Sequence, residues 1–174
     1  TSQFLGHVDS KNPLNTATEK YIKRLCLPDD FRIERHNLDL EGRAADLLAS
    51  SLKPRQKTPN GNCTLPFWAG ETLKDPKTIE IDFDGNVTIC SGLCIGNAKE
   101  KSLSKIIQEY DYTRYPIIRC LVENGPSGLL ELDYNKEKIE RGRYVNECHL
   151  CYDLRKRLSA SYGEFLAPET CYKE

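Results

Sequence analysis

The chain has 174 residues, with 25 lysines and arginines against 26 aspartates and glutamates and a formal net charge of −1. That balance excludes a nucleic-acid binder whose affinity comes from bulk phosphate neutralisation, and the length suits one domain, or a small domain with a fragment of another. There is no apolar run of about 18 residues and no basic, apolar, small-residue succession at the start, so neither a membrane span nor a signal peptide is expected and the location is read as cytoplasmic.

The chain begins at Thr1 and contains no methionine, which fits either an excised initiator or a fragment of a longer protein. Pro13 followed by Glu19, Tyr21, Ile22, Leu25 and Cys26 predicts a helix with proline in its first turn, closing before Pro28. Residues 31–35 alternate apolar and charged side chains and predict a half-buried strand. A short helix opens at Gly42 and fades into residues 51–62, which hold Pro54, Pro59 and Gly61 and almost nothing apolar, so a linker is expected with a boundary near residue 60.

Two alternating runs, 78–83 and 87–90, flank Asp84-Gly85 and give the strongest hairpin signal in the sequence. Residues 91–97 read as a glycine-containing loop. Ser102 is expected to cap a helix with Leu103, Ile106 and Ile107 on one face; Pro116 is expected to open another that stops at Gly125, with a short turn or helix over 126–133. Asn146 precedes a last helix with Cys151, Leu154 and Leu158 inward and Arg155, Lys156 and Arg157 towards solvent. The predicted class is α+β, a small β-hairpin with surrounding helices, preceded by a helix-strand-helix segment over 1–60.

Eight cysteines, about 5% of the chain, fall below the roughly 8–10% of a disulfide scaffold, and in a reducing compartment such thiols more often bind metal. Cys148 and Cys151 are two residues apart at a helix start, where the dipole and the unpaired N–H groups favour thiolate. Cys90 ends the second hairpin strand, and Cys63 lies just beyond the linker. These four are the expected ligands, a site whose metal would contribute to folding by joining distant segments. Cys94 is a fifth candidate that would replace Cys63. Cys26 and Cys120 sit on apolar helical faces and read as core residues, and Cys171 reads as a tail residue outside the site. Four thiolates fit zinc or an iron-sulfur cluster. His149 is expected to turn away from the metal, Asp82 and Asp84 to shape the turn, Trp68 beside Phe67 to anchor packing, and Arg141, Arg143 and Arg155 to face solvent. No phosphate-cradling glycine loop or nucleophile elbow is present.

Taken together, Cys63, Gly85-x4-Cys90 and Cys148-x2-Cys151 resemble the auxiliary-cluster domains, called SPASM or twitch domains, at the C-terminal end of radical S-adenosylmethionine enzymes. Residues 82–90 are similar to the family's hairpin, Ile95-Gly96-Asn97 with Ser102-Leu103 to its next loop and helix, and Gly42-Arg43-Ala44 to the exit from the preceding barrel. The resemblance implies that residues 1–60 end such a barrel and that residues 61–174 hold a 4Fe-4S cluster on Cys63, Cys90, Cys148 and Cys151. Full ligation leaves no iron open to substrate, so the implied role is electron transfer or structural support during radical modification of a substrate, peptides among them. Where the longer pattern continues with more cysteines, this chain has Asp153, Leu154, Arg155 and Arg157, which resembles the single-cluster, twitch-like version.

The radical-generating C-x3-C-x2-C is absent, since Cys90-x3-Cys94 is followed by Asn97 at the third position. S-adenosylmethionine would therefore bind a missing N-terminal part or split subunit, and this chain would not be catalytic alone. The other reading is a non-catalytic module with structural zinc that recognises a partner protein.

Overall fold

Proline lacks the N–H that a first helical residue leaves unpaired, and its φ is already helical. Accordingly α1 spans Pro13–Arg24 in the computed structural model, which describes residues 2–4, 13–25, 35–37, 40–61, 63, 71–133 and 142–173. Strand β1 (Ser2–Phe4) pairs in parallel with β2 (Arg35–Asn37), Ser2 opposite Arg35. Parallel strands need a crossover, and α1 lies in the connection. These elements belong to one compact unit, Thr1–Asp39, and the remainder forms a second, Leu40–Glu174. Most of the strand expected over 31–35 lies outside the described residues, as do Cys26, Trp68 and Arg141.

The second unit begins with α2 (Gly42–Leu48) and a single 3-10 turn, Ala49–Ser51. The stretch expected as a linker runs inside this unit and has partners there. The Arg55 backbone N–H donates to the Tyr144 carbonyl at 2.9 Å, and its guanidinium donates to Glu147 Oε1 at 2.6 Å. Pro59 is buried, and a Cβ at Gly61 would stand 3.2 Å from the same Glu147 oxygen. This path delivers Cys63 to the start of the last helix.

Three antiparallel strands follow, β3 (Glu80–Ile81), β4 (Asn86–Cys90) and β5 (Leu93–Asn97), in that order across the sheet. The expected hairpin is present, and its turn is made by Asp82, whose Oδ1 accepts the amides of Asp84 and Asn86, each at 2.9 Å. Residues 91–97, expected as a loop, instead form a two-residue turn at Ser91-Gly92 and a third strand, with Cys90 opposite Leu93. Leu93, Cys94 and Ile95 are all buried, so this strand lacks the alternation that marks a half-exposed one.

Ser102 stands at the start of α3 (Leu103–Gln108), but its hydroxyl makes no capping bond, and Ile107 is half exposed while Ile106 is buried. Helix α4 (Pro116–Gly128) has proline at its start and breaks at Gly125, where φ is 67° and ψ is −173°, before resuming at Pro126. Helix α5 (Glu147–Leu158) is capped by Asn146, whose side chain accepts the His149 N–H at 2.8 Å. Leu40, Val87, Ile117, Ile118, Leu129, Leu150 and Leu154 are fully buried and form the core of this unit, against which Leu166 and Tyr172 also pack. The class is α+β, and among the described residues no helix is long and apolar enough to cross a membrane.

Gly92 and Gly142 both have a φ of +75°, but a Cβ at Gly92 would come within 2.3 Å of the Tyr172 hydroxyl, whereas at Gly142 the nearest atom is 4.0 Å away. Gly142→Ala should therefore cost only the left-handed strain of about 1–2 kcal/mol. Gly92→Ala should add overpacking of about 1–3 kcal/mol, a difference that denaturant titration of the two variants will read.

Candidate iron-sulfur site

Four pieces of the second unit meet at the C-terminal end of β4. Cys90 closes that strand, Cys63 arrives from the stretch along α5, Glu41 precedes α2, and Cys151 occupies the second turn of α5. Cys90 Sγ donates to Glu41 Oε2 at 3.6 Å. Cys148 is half-buried in the first turn of α5, on the same face as Cys151 because the two stand at i and i+3.

Burial pushes the Cys63 thiol up to about 12, with Cys151 and Glu41 adding to the rise and Arg155 opposing it. Burial likewise lifts Cys90 well above the ordinary range, opposed by Arg155 and reinforced by Glu41, Cys151 and Cys63. Cys151 is raised by burial and Glu41, against the charge of Arg155 and a hydrogen bond from it. Cys63 and Cys90 thus each feel Cys151, and all three feel the same cation and the same carboxylate. Without a metal the thiols hold their protons, so a metal that binds them must displace those protons.

The cation at this centre is the residue that sequence reasoning placed in solvent. Arg155 is 1% exposed. Its Nη1 donates to the Ser91 carbonyl at 2.5 Å and to the Tyr172 hydroxyl at 2.9 Å, and its Nη2 lies 3.9 Å from Glu41 Oε2. Its Nε is buried with no hydrogen-bond partner among the described residues. Four residues after Cys151, it shares that cysteine's helix face, and this i, i+4 relation was the signal available in the sequence. Lys156 and Arg157 are ion-paired to Asp46 and Asp153.

The other candidates are placed as follows. Cys94 donates to the Gly96 carbonyl at 3.3 Å, and its charged neighbours are Asp82 and Glu100. Cys120 is buried on α4, as expected of a core residue. Cys171 was expected in a tail away from the site but is hydrogen-bonded with Ser91, the residue after Cys90, and senses Arg155 and Glu41. His149 Nδ1 accepts the Val145 N–H at 3.3 Å, so that nitrogen is occupied. Arg143 is largely exposed and pairs with Asp153 at 3.3 Å.

Soft, buried thiols and a buried cation with one N–H unpaired suit an anionic sulfur-rich group. Among the described residues, no three His, Cys, Asp or Glu side chains are gathered closely enough to hold a metal ion as they stand. A single zinc draws its sulfurs to about 2.3 Å from one centre, whereas a cluster distributes its thiolates over several irons.

No curated protein and no solved structure matches this chain. The family model of SPASM, an iron-sulfur cluster-binding domain, matches residues 75–152. That span contains Cys90, Cys148, Cys151 and the whole three-stranded sheet, and ends before Arg155. Over residues 75–152 the chain is therefore similar to the SPASM iron-sulfur cluster-binding domains.

Proposed function

We propose that Cys63, Cys90, Cys148 and Cys151 hold one 4Fe-4S cluster whose irons are all bound by protein. The observation that carries this is the convergence of Cys63, Cys90 and Cys151, from three separate chain segments, on one buried guanidinium. Cys148 shares the helix face of Cys151. The SPASM match over residues 75–152 favours a cluster over zinc.

When bound, the cluster supplies one-electron transfer or structural support at a position closed to substrate. The chain's own part is to surrender the thiol protons, to keep water away from the sulfurs by burial, and to hold Arg155 against them. Burial alone would weaken the Arg155 cation, but Tyr172, Cys151, Cys90 and Glu41 more than compensate and keep it charged.

The wider role is that of an auxiliary domain of a radical S-adenosylmethionine enzyme. The supporting fact is the SPASM match, and the chain itself carries no C-x3-C-x2-C. S-adenosylmethionine binding and radical formation then fall to another segment or subunit, and a peptide is one substrate class that suits the reading. A reducing compartment such as the cytoplasm, where thiols bind metal more often than they pair, suits this reading.

Anaerobic reconstitution with iron and sulfide should yield about four of each per chain and a broad absorbance near 400 nm, the stoichiometry following from one cysteine-bound 4Fe-4S cluster. Cys90→Ser and Cys151→Ser should each lose most of that iron, while Cys120→Ser should load like the wild type. A colourless protein with one zinc per chain would overturn the reading.

A second expectation concerns protons. The folded thiols titrate above their ordinary value of 9.0, so at neutral pH folded and unfolded chains bind the same thiol protons and these groups leave stability unchanged. As pH rises past 9.0 the unfolded chain ionises first, and stability should fall steadily towards about 12, where Cys63 follows. Denaturation of the metal-free protein at stepped pH will show this decline, and Cys63→Ser should make it shallower. Cluster loading at pH 7 should release protons into a weakly buffered solution.

A further inference from the structure

The domain match stops at residue 152, yet the strongest charge at the site lies beyond it. Arg155 is held on two sides by groups from distant segments. The Ser91 carbonyl belongs to the turn that leaves Cys90, and the Tyr172 hydroxyl donates in turn to the Gly92 carbonyl at 2.8 Å. Tyr172 is itself buried, stacks on Tyr152 with ring centroids 6.0 Å apart, and fills the space that any side chain at position 92 would need. The guanidinium is therefore fixed in place, with its Nε–H unpaired and Glu41 as its nearest carboxylate. An arginine this deeply buried with an unused donor implies an acceptor that arrives with the ligand.

We propose that Arg155, seated by Ser91 and Tyr172, is a positioning residue that sets the reduction potential of the cluster held by Cys63, Cys90, Cys148 and Cys151, and that Glu41 opposes it. This rests on the cluster reading above. One-electron reduction by added dithionite places one more negative charge at the site and breaks no bond. A fixed positive charge favours that reduced state, and a fixed carboxylate disfavours it. Burial strengthens both effects, because little water screens them.

The test is a potentiometric titration, followed by electron paramagnetic resonance, of the whole chain reconstituted with iron and sulfide. Arg155→Gln should make reduction harder by tenfold or more, equivalent to about 59 mV downward for a one-electron couple. Arg155→Lys, which keeps the charge but not the fork, should recover part of that shift. Glu41→Gln should move the potential upward. A merely structural role for Arg155 would not give two isosteric changes of opposite sign.

Loaded Arg155→Gln at the wild-type potential, or Glu41→Gln unchanged or shifted downward, would overturn the proposal. If Arg155→Gln takes up no iron, Glu41→Gln decides by the same criterion. Failure of the wild type to take up iron and sulfide would instead remove the cluster reading itself.

Discussion

A guanidinium shut away from water is the constraint on which this domain is arranged. Burying an unpaired cation costs several kcal/mol even after relaxation, and Arg155 is tolerated only because a carbonyl, a hydroxyl, a carboxylate and a set of sulfur atoms face it. The thiols are under the opposite pressure. Desolvation keeps them protonated, and the same arginine is what offsets it. The hydrogen bond from Arg155 to the Ser91 carbonyl, in the turn after Cys90, couples the last helix to the sheet.

The scaffold gives the sulfurs unequal footing. Cys90 sits at the end of the central strand, opposite Leu93 of β5, and Cys151 sits inside a capped helix. Cys63 comes in on an irregular stretch tied to α5 by the Arg55 to Glu147 pair, whose side chains are 47% and 27% exposed. An ion pair so open to solvent contributes little, about 0–1 kcal/mol. Of the proposed ligands, Cys90, Cys148 and Cys151 are thus presented by a strand and a helix, and Cys63 by a tether.

Features governed by neighbouring residues were legible in the sequence. The Asp82 turn, the proline starts of α1 and α4, the break at Gly125 and the Asn146 cap all follow from side chains acting on backbone a few positions away. What escaped was decided by burial from outside the segment. Strand β5 reads as loop because all of Leu93, Cys94 and Ile95 are covered, and glycines interrupt its pattern. Arg155 reads as solvated because a charge on a helix normally is. Its partners Ser91 and Tyr172 are 64 and 17 positions away, and nothing local announces them. Segment 51–61 shows the same limit, since a polar stretch with prolines can run over a surface as well as between domains.

The contact between Tyr172 and Gly92 spans 80 positions of chain. Synthesis is directional and proceeds at about 5–20 residues per second, so the strand that ends in Cys90 leaves the ribosome well before the residue that locks its turn. Until Tyr172 emerges, Arg155 lacks one of its two seats and the space beside Gly92 stays open. The seat of Arg155 is therefore completed only once the last residues of this unit have been made.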